Sequence, residues 1–196
     1  YNGKEKYAAS GNAVTNDYVR GMVEEYVMGL HYTDEAVKNF IEKIDSINKP
    51  ITFVFYGDHL PGIYWDTNNN IILHQTDYFI YSNKYARRHL GRRIYKQYDL
   101  VAPTDFMSLV QKQTLTKTTP YSALLEKVLD ELHVITTKAA AGSKEESDAA
   151  MINDNGELIK YDDLSSSQKE LYNDYKLVQY DMTAGNNYLE NMNFTR

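Results

Sequence analysis

Gly57, Asp58 and His59 stand side by side directly after the run Ile51-Thr-Phe-Val-Phe-Tyr56. A carboxylate oxygen and a neutral imidazole nitrogen are ordinary ligands for zinc or manganese, whereas calcium prefers oxygen alone. The run before them is apolar, β-branched and aromatic, which is the composition of a short buried strand. Without polar alternation, these six residues predict a strand covered on both faces, as in a parallel sheet. In open α/β sheets ligands gather at the carboxyl ends of the strands, where Asp58 and His59 would stand. Gly57 permits a tight turn there, so the two side chains need not diverge as strand neighbours do. The same residues also read as a helix-capping Asp and a loop His, and two ligands do not complete a metal shell.

The elements around the motif follow from periodicity. Val19, Met22, Val23, Tyr26, Val27 and Leu30 recur at helical spacing, and Val37, Phe40, Ile41 and Ile44 continue the stripe to about Asp45. Within it, His31 reads as a partly buried, hydrogen-bonded histidine rather than a ligand. An Asn-rich turn segment occupies residues 66–70, and a second strand is predicted over residues 77–82. His74 lies just before that strand, which makes it a candidate substrate-binding neighbour of the metal; a surface role is the plainer reading. Pro103 and Thr104 open a short helix, and Thr119 with Pro120 caps another whose buried face is Leu124, Leu125, Val128, Leu129 and Leu132. His133 ends that helix, where a cation suits the helix dipole. Residues 138–150 turn small and charged, the best candidate for a mobile loop. A hairpin turning at Asn155-Gly156 follows, then a helix capped within residues 165–167 that runs to about Tyr180, with Leu171, Tyr175 and Val178 on one face.

One further cluster could do chemistry. Lys84, Arg87, Arg88, Arg92, Arg93 and Lys96 concentrate positive charge in a chain of net charge -6. A helix would align Arg88, Arg92 and Lys96 on one side, although Gly91 weakens it. Such a face could bind the phosphates of an anionic polymer or anionic lipid headgroups, or it could simply pair with the chain's own carboxylates.

Composition bounds the alternatives. The 196 residues, 42% hydrophobic, suffice for one sizeable core, and length favours one domain. No apolar run has the length of a membrane span. The acidic balance argues against a nucleic-acid partner, and zero cysteines exclude disulfides and thiolate metal sites. The 18 tyrosines read as amphipathic packing more readily than as a sugar-binding surface.

Taken together, Gly29-Leu-His-Tyr-Thr-Asp-Glu-Ala-Val-Lys-Asn-Phe-Ile-Glu-Lys-Ile44 and Phe53-Val-Phe-Tyr-Gly-Asp-His-Leu-Pro61 resemble the extracellular catalytic domain of the lipoteichoic acid synthase family. These are phosphoglycerol transferases of the sulfatase and alkaline phosphatase superfamily. Thr76-Asp-Tyr-Phe-Ile-Tyr-Ser-Asn83, Ala102-Pro-Thr-Asp-Phe106 and Tyr175-Lys-Leu-Val-Gln-Tyr-Asp181 extend the resemblance over most of the chain. It implies the carboxyl-terminal part of an α/β/α sulfatase-like domain spanning residues 1–196, with a small β-hairpin and a carboxyl-terminal helix. In that family one divalent metal is held by an acidic residue and a nucleophilic threonine from the first half of the domain and by an Asp-His pair from the second. Asp58 and His59 match the pair. Tyr1-Asn-Gly3 corresponds to a point just after a substrate-binding histidine, so the first half is expected upstream. Thr33 and Thr104 do not match the nucleophile's motif, and no nucleophile is assigned.

The resemblance further implies manganese as the metal, with zinc, magnesium or calcium as alternatives, and a phosphatidylglycerol-type donor. It places the full-length protein, membrane-anchored, at the extracellular face of a bacterial cell membrane. This portion alone is expected to be inactive. The rival readings are a sulfatase or phosphodiesterase on the same fold, with water as final acceptor, and a non-catalytic cell-surface binding module.

Overall fold

In the computed structural model, which describes residues 7–12, 14–63, 70–90, 98–136 and 150–195, the amino-terminal periodicity becomes one 29-residue helix, α1 (Asp17–Asp45). The Asn16 side chain accepts the Val19 amide at 2.9 Å and so caps its first turn, while Asp17 suits the positive end of the helix dipole. Along the chain follow β1 (Thr52–Tyr56), the one-turn helix α2 (Asn70–Leu73), β2 (Tyr78–Ser82) and α3 (Lys84–Leu90). Then come α4 (Phe106–Thr114), α5 (Pro120–Leu132), β3 (Val134–Thr136), β4 (Ala150–Ile152), β5 (Leu158–Ile159) and α6 (Ser166–Thr183). The backbone divides into two compact units, Tyr1–Asn68 with Gln75–His89, and Asn69–His74 with Leu90–Arg196.

The first unit departs from the expected parallel pairing. β1 pairs antiparallel with β2, with Thr52 opposite Ser82 and Tyr56 opposite Tyr78. Nor is the strand covered on both faces: Phe55 and Tyr56 remain 37% and 48% exposed. The apolar run has another cause, an aromatic cluster across the two strands. Phe40 of α1 meets Phe53 edge-on at 5.0 Å, Phe53 meets Phe79 at 5.8 Å, and Phe55 stacks on Phe79 at 5.1 Å. Cross-strand aromatic pairs stabilise an antiparallel ladder directly, so an unbroken apolar run does not by itself require a layer on each side.

Asn83 ties this unit together. Its side chain is fully buried and makes five bonds. The amide nitrogen donates to the carbonyls of Ile44 at 2.9 Å, Lys49 at 2.9 Å and Ile47 at 3.3 Å. The amide oxygen accepts from Ile51 at 3.2 Å and Ala86 at 2.9 Å. One residue thereby satisfies carbonyls at the end of α1 and in the loop after it, and amides at the entry to β1 and in the first turn of α3. Asp45 reinforces it by accepting the Lys84 amide at 2.9 Å and the Tyr81 hydroxyl at 3.0 Å. Burial opposes ionisation of Asp45, but those bonds and the Lys84 ammonium hold its carboxyl below the usual range.

The second unit is helical with a small antiparallel sheet in the order β3-β4-β5. Thr119 caps α5 by accepting the Ser122 amide at 3.1 Å, and Ser165 caps α6 through a capping box with Gln168. Leu125, Val128, Leu132, Met151, Leu164, Leu171, Tyr172 and Tyr175 form the core. The hairpin turns at Asn155-Gly156 as expected, with Gly156 at φ 77°. The expected mobile loop lies outside the described residues except for Ala150, which begins β4. His133 sits one residue past α5, where its Nδ1 lies 3.2 Å from Asp154 Oδ1 in the hairpin turn. That contact ties the end of α5 to the hairpin turn. No described helix is long and apolar enough to cross a membrane.

Candidate metal centre

Asp58 and His59 occupy the bend at the carboxyl end of β1. The ladder continues one residue beyond the strand, because the Gly57 amide donates to the Asp77 carbonyl at 3.3 Å. The Thr76 hydroxyl donates to the Gly57 carbonyl at 2.7 Å. Both functional side chains then project into solvent, Asp58 86% and His59 76% exposed.

Geometry sets the tautomer of His59. Its Nδ1 is 2.9 Å from the Leu60 carbonyl oxygen, which can only accept, so Nδ1 carries the hydrogen of the neutral ring. That leaves the Nε2 lone pair available, and Nε2 lies 3.7 Å from Asp58 Oδ2. A ring whose second nitrogen donates to a backbone carbonyl is the usual arrangement of a metal-binding histidine. Two donors 3.7 Å apart can be bridged by one cation at roughly 2.1 Å from each. The residues present therefore fit a divalent metal through an oxygen and a nitrogen, the donor set of manganese or zinc. Among the described residues no group of three or more histidines, aspartates or glutamates converges to complete a shell.

The other sequence candidates are placed differently. His74 is exposed, one residue past α2, with its amide on the Ile71 carbonyl at 3.2 Å. Arg88 is exposed on α3, whereas Arg92 and Lys96 lie outside the described residues. α3 carries Arg88 up to Leu90, and a helix aligning all three would lie mostly outside the described residues. Two members of the basic cluster are already engaged. Lys84 lies 3.5 Å from Asp45, and Arg87 donates to the Ser82 carbonyl at 2.8 Å with its guanidinium 4.9 Å from the Tyr81 ring centroid. Of the threonines near recognisable motifs, Thr33 donates to the Gly29 carbonyl of its own helix at 3.0 Å. His31 is half-buried, 3.8 Å from Glu35, and packs against Tyr7 and Tyr32.

Thr76 carries no signal in the sequence that would tie it to the motif. Its contact with Gly57 spans 19 residues, and only the folded ladder brings them together. A polar cluster in the second unit is likewise non-local. The Tyr98 hydroxyl donates to Asp130, and Lys112 bridges Glu126 at 2.7 Å and Asp130 at 3.5 Å. Burial and the bond to Asp130 push the Tyr98 phenol up to about 12. Every member of that cluster is paired, which is the signature of a structural network rather than of a reactive group.

The sulfatase family model matches residues 1–110. None of the curated proteins matches. Among solved structures, the Streptococcus pyogenes phosphoglycerol transferase GacH in complex with sn-glycerol-1-phosphate is similar over 95% of this chain, at 32% identity and a TM-score of 0.66. This chain spans 41% of that one. The mixed helix and strand architecture is thus that of a sulfatase-like phosphoglycerol transferase domain, in part. The chain belongs to the sulfatase family.

Proposed function

We propose that this chain supplies one half of the active site of a metal-dependent phosphoglycerol transferase. The observation that carries the reading is the Asp58-His59 pair, with a free imidazole Nε2 facing a carboxylate at the end of β1. The similar solved structure is a phosphoglycerol transferase bound to sn-glycerol-1-phosphate, which supports a glycerophosphate group as the moiety handled. Asp58 and His59 would hold a divalent cation, manganese by preference. The bound metal would supply Lewis-acid stabilisation of charge on the phosphoryl oxygens and on an attacking alkoxide.

The chain's own residues do the rest of the work assigned here. The Leu60 carbonyl keeps the His59 proton on Nδ1, so Nε2 stays a donor of electron density. The β1-β2 ladder, tied to α1 by Asn83, fixes where the bend begins. The nucleophile and the remaining ligands belong to residues outside this set. The donor is an anionic glycerophospholipid of the phosphatidylglycerol type, and a growing glycerophosphate polymer or other acceptor receives the group, at the outer face of a bacterial membrane.

Asp58→Ala and His59→Ala in the full-length protein test the proposal. Each should lower release of diacylglycerol from a fluorescent phosphatidylglycerol analogue by more than the roughly 100-fold that loss of an outer-shell partner can cost. Both side chains are exposed on a bend, so the unfolding midpoint should not move. Turnover near the unmodified rate in either variant would refute the assignment.

A further inference from the structure

We infer that Thr76 is a positioning residue for the Asp58-His59 pair and that Gly57 and Thr76 form a matched unit; this rests on the metal reading above. The Thr76 hydroxyl donates to the Gly57 carbonyl at 2.7 Å, and the next residue, Asp77, accepts the Gly57 amide at 3.3 Å. Gly57 is therefore clamped on both of its peptide planes from the segment that leads into β2. A carbonyl oxygen and the following amide nitrogen belong to one rigid plane, so fixing the Gly57 oxygen also fixes the direction in which the chain enters Asp58. Beyond that plane, among the described residues, the bend has the local His59 to Leu60 bond, and both side chains stand in solvent. Among the described residues, the hydroxyl at Thr76 is thus the non-local restraint nearest the two ligands.

The fit is close enough to dictate both residue types. A Cβ on Gly57 would lie 2.9 Å from Thr76 Cβ, 3.0 Å from its Cγ2 and 3.2 Å from its Oγ1. Any side chain at position 57 would push Thr76 away and break the bond that sets the plane. Here glycine is required for close approach, not for a left-handed backbone. Supporting partners of this kind orient the ligands of a metal without touching it, and their loss typically weakens metal affinity by about 10- to 100-fold.

The test separates the hydroxyl from the shape. Thr76→Val keeps the branched volume and loses the donor, whereas Thr76→Ser keeps the donor and loses a methyl. Calorimetric titration of Mn²⁺ into the full-length protein, with urea unfolding in parallel, should show Thr76→Val and Gly57→Ala weakened by about 10-fold or more. Thr76→Ser should stay within about threefold of the original. Affinity retained by Thr76→Val, or lost equally by Thr76→Val and Thr76→Ser, would overturn the inference. Should Thr76→Val fail to fold, the comparison of Thr76→Ser with Thr76→Ala decides the same point, and equal affinities would overturn it. Asp58→Ala distinguishes the two levels. If it abolishes Mn²⁺ binding while Thr76→Val does not, only the role of Thr76 falls; if it binds as the original does, the metal reading falls and takes this inference with it.

Discussion

Replacing Asn83 with Asp changes one buried NH₂ into an oxygen and leaves the shape almost intact. The amide nitrogen now lies 2.9 Å from the Ile44 and Lys49 carbonyls and 3.3 Å from that of Ile47. After substitution an oxygen faces three carbonyl oxygens with no donor between them. Three hydrogen bonds disappear, each contributing about 1 kcal/mol net at most, and the Ile44 carbonyl that loses one stays buried. A carboxylate buried there without a cation adds a desolvation penalty, so the expected loss at pH 8 is about 3–5 kcal/mol. Lower pH should relieve part of this. The introduced carboxyl is destabilised in its charged form, its folded pKa is raised, and once protonated it can donate one bond back. The deficit should therefore shrink as pH falls from 8 to 4. Urea unfolding followed by far-UV circular dichroism across that range measures both effects. A deficit at pH 8 below about 1 kcal/mol, the contribution of a single hydrogen bond, would refute the view that Asn83 anchors the strand that leads to Asp58.

Asp105 lies almost fully buried at the start of α4, and burial raises its carboxyl from 3.8 to about 6, against the Ala102 amide bond that favours the charge. The folded state then holds the proton more tightly than the unfolded chain, so stability falls as pH rises from about 4 to about 6 and levels off above. Asp105→Asn keeps an acceptor for Ala102 and removes the titration; it should be up to about 3 kcal/mol more stable than the original at pH 7–8 and lose the slope below pH 6. Unfolding curves at pH 4, 5, 6 and 7 measure this, and an unchanged slope in the variant would refute it. Ser108 Oγ is buried and has no hydrogen-bond partner among the described residues. Ser108→Ala removes that unsatisfied hydroxyl and should raise stability by roughly 1 kcal/mol in the same assay, whereas a comparable loss would reveal a partner for it.

Much of the helical framework was legible locally. Thr119 with Pro120 starts α5, Ser165 starts α6, and Asn155-Gly156 turns the hairpin, because each signal acts through hydrogen bonds a few residues long. The predicted strand over residues 77–82 differs from β2 by one residue. The three residues of β3 escaped notice because they are too few to show a period, and they became a strand only by pairing with β4. The proposed line of Arg88, Arg92 and Lys96 lies mostly outside the described residues, whereas Lys84 and Arg87 turned out to serve Asp45, Ser82 and Tyr81 within their own unit.

The sequence by itself determined that a carboxylate and an imidazole follow an apolar strand, together with the family likeness on which their proposed role as metal ligands rests. It could not determine the direction of pairing, since aromatic cross-strand contacts and burial between two layers select the same apolar residues in β1. Nor could it show that the His59 proton sits on Nδ1, that Asn83 binds α1, β1 and α3 to one another, or that Thr76 closes on Gly57 across 19 residues. The Asn83 and Thr76 contacts belong to the tertiary structure because each depends on atoms brought within about 3 Å by the ladder and the packing around it, a coincidence that no local pattern encodes, while the His59 proton follows from the bend that turns its ring onto the next carbonyl.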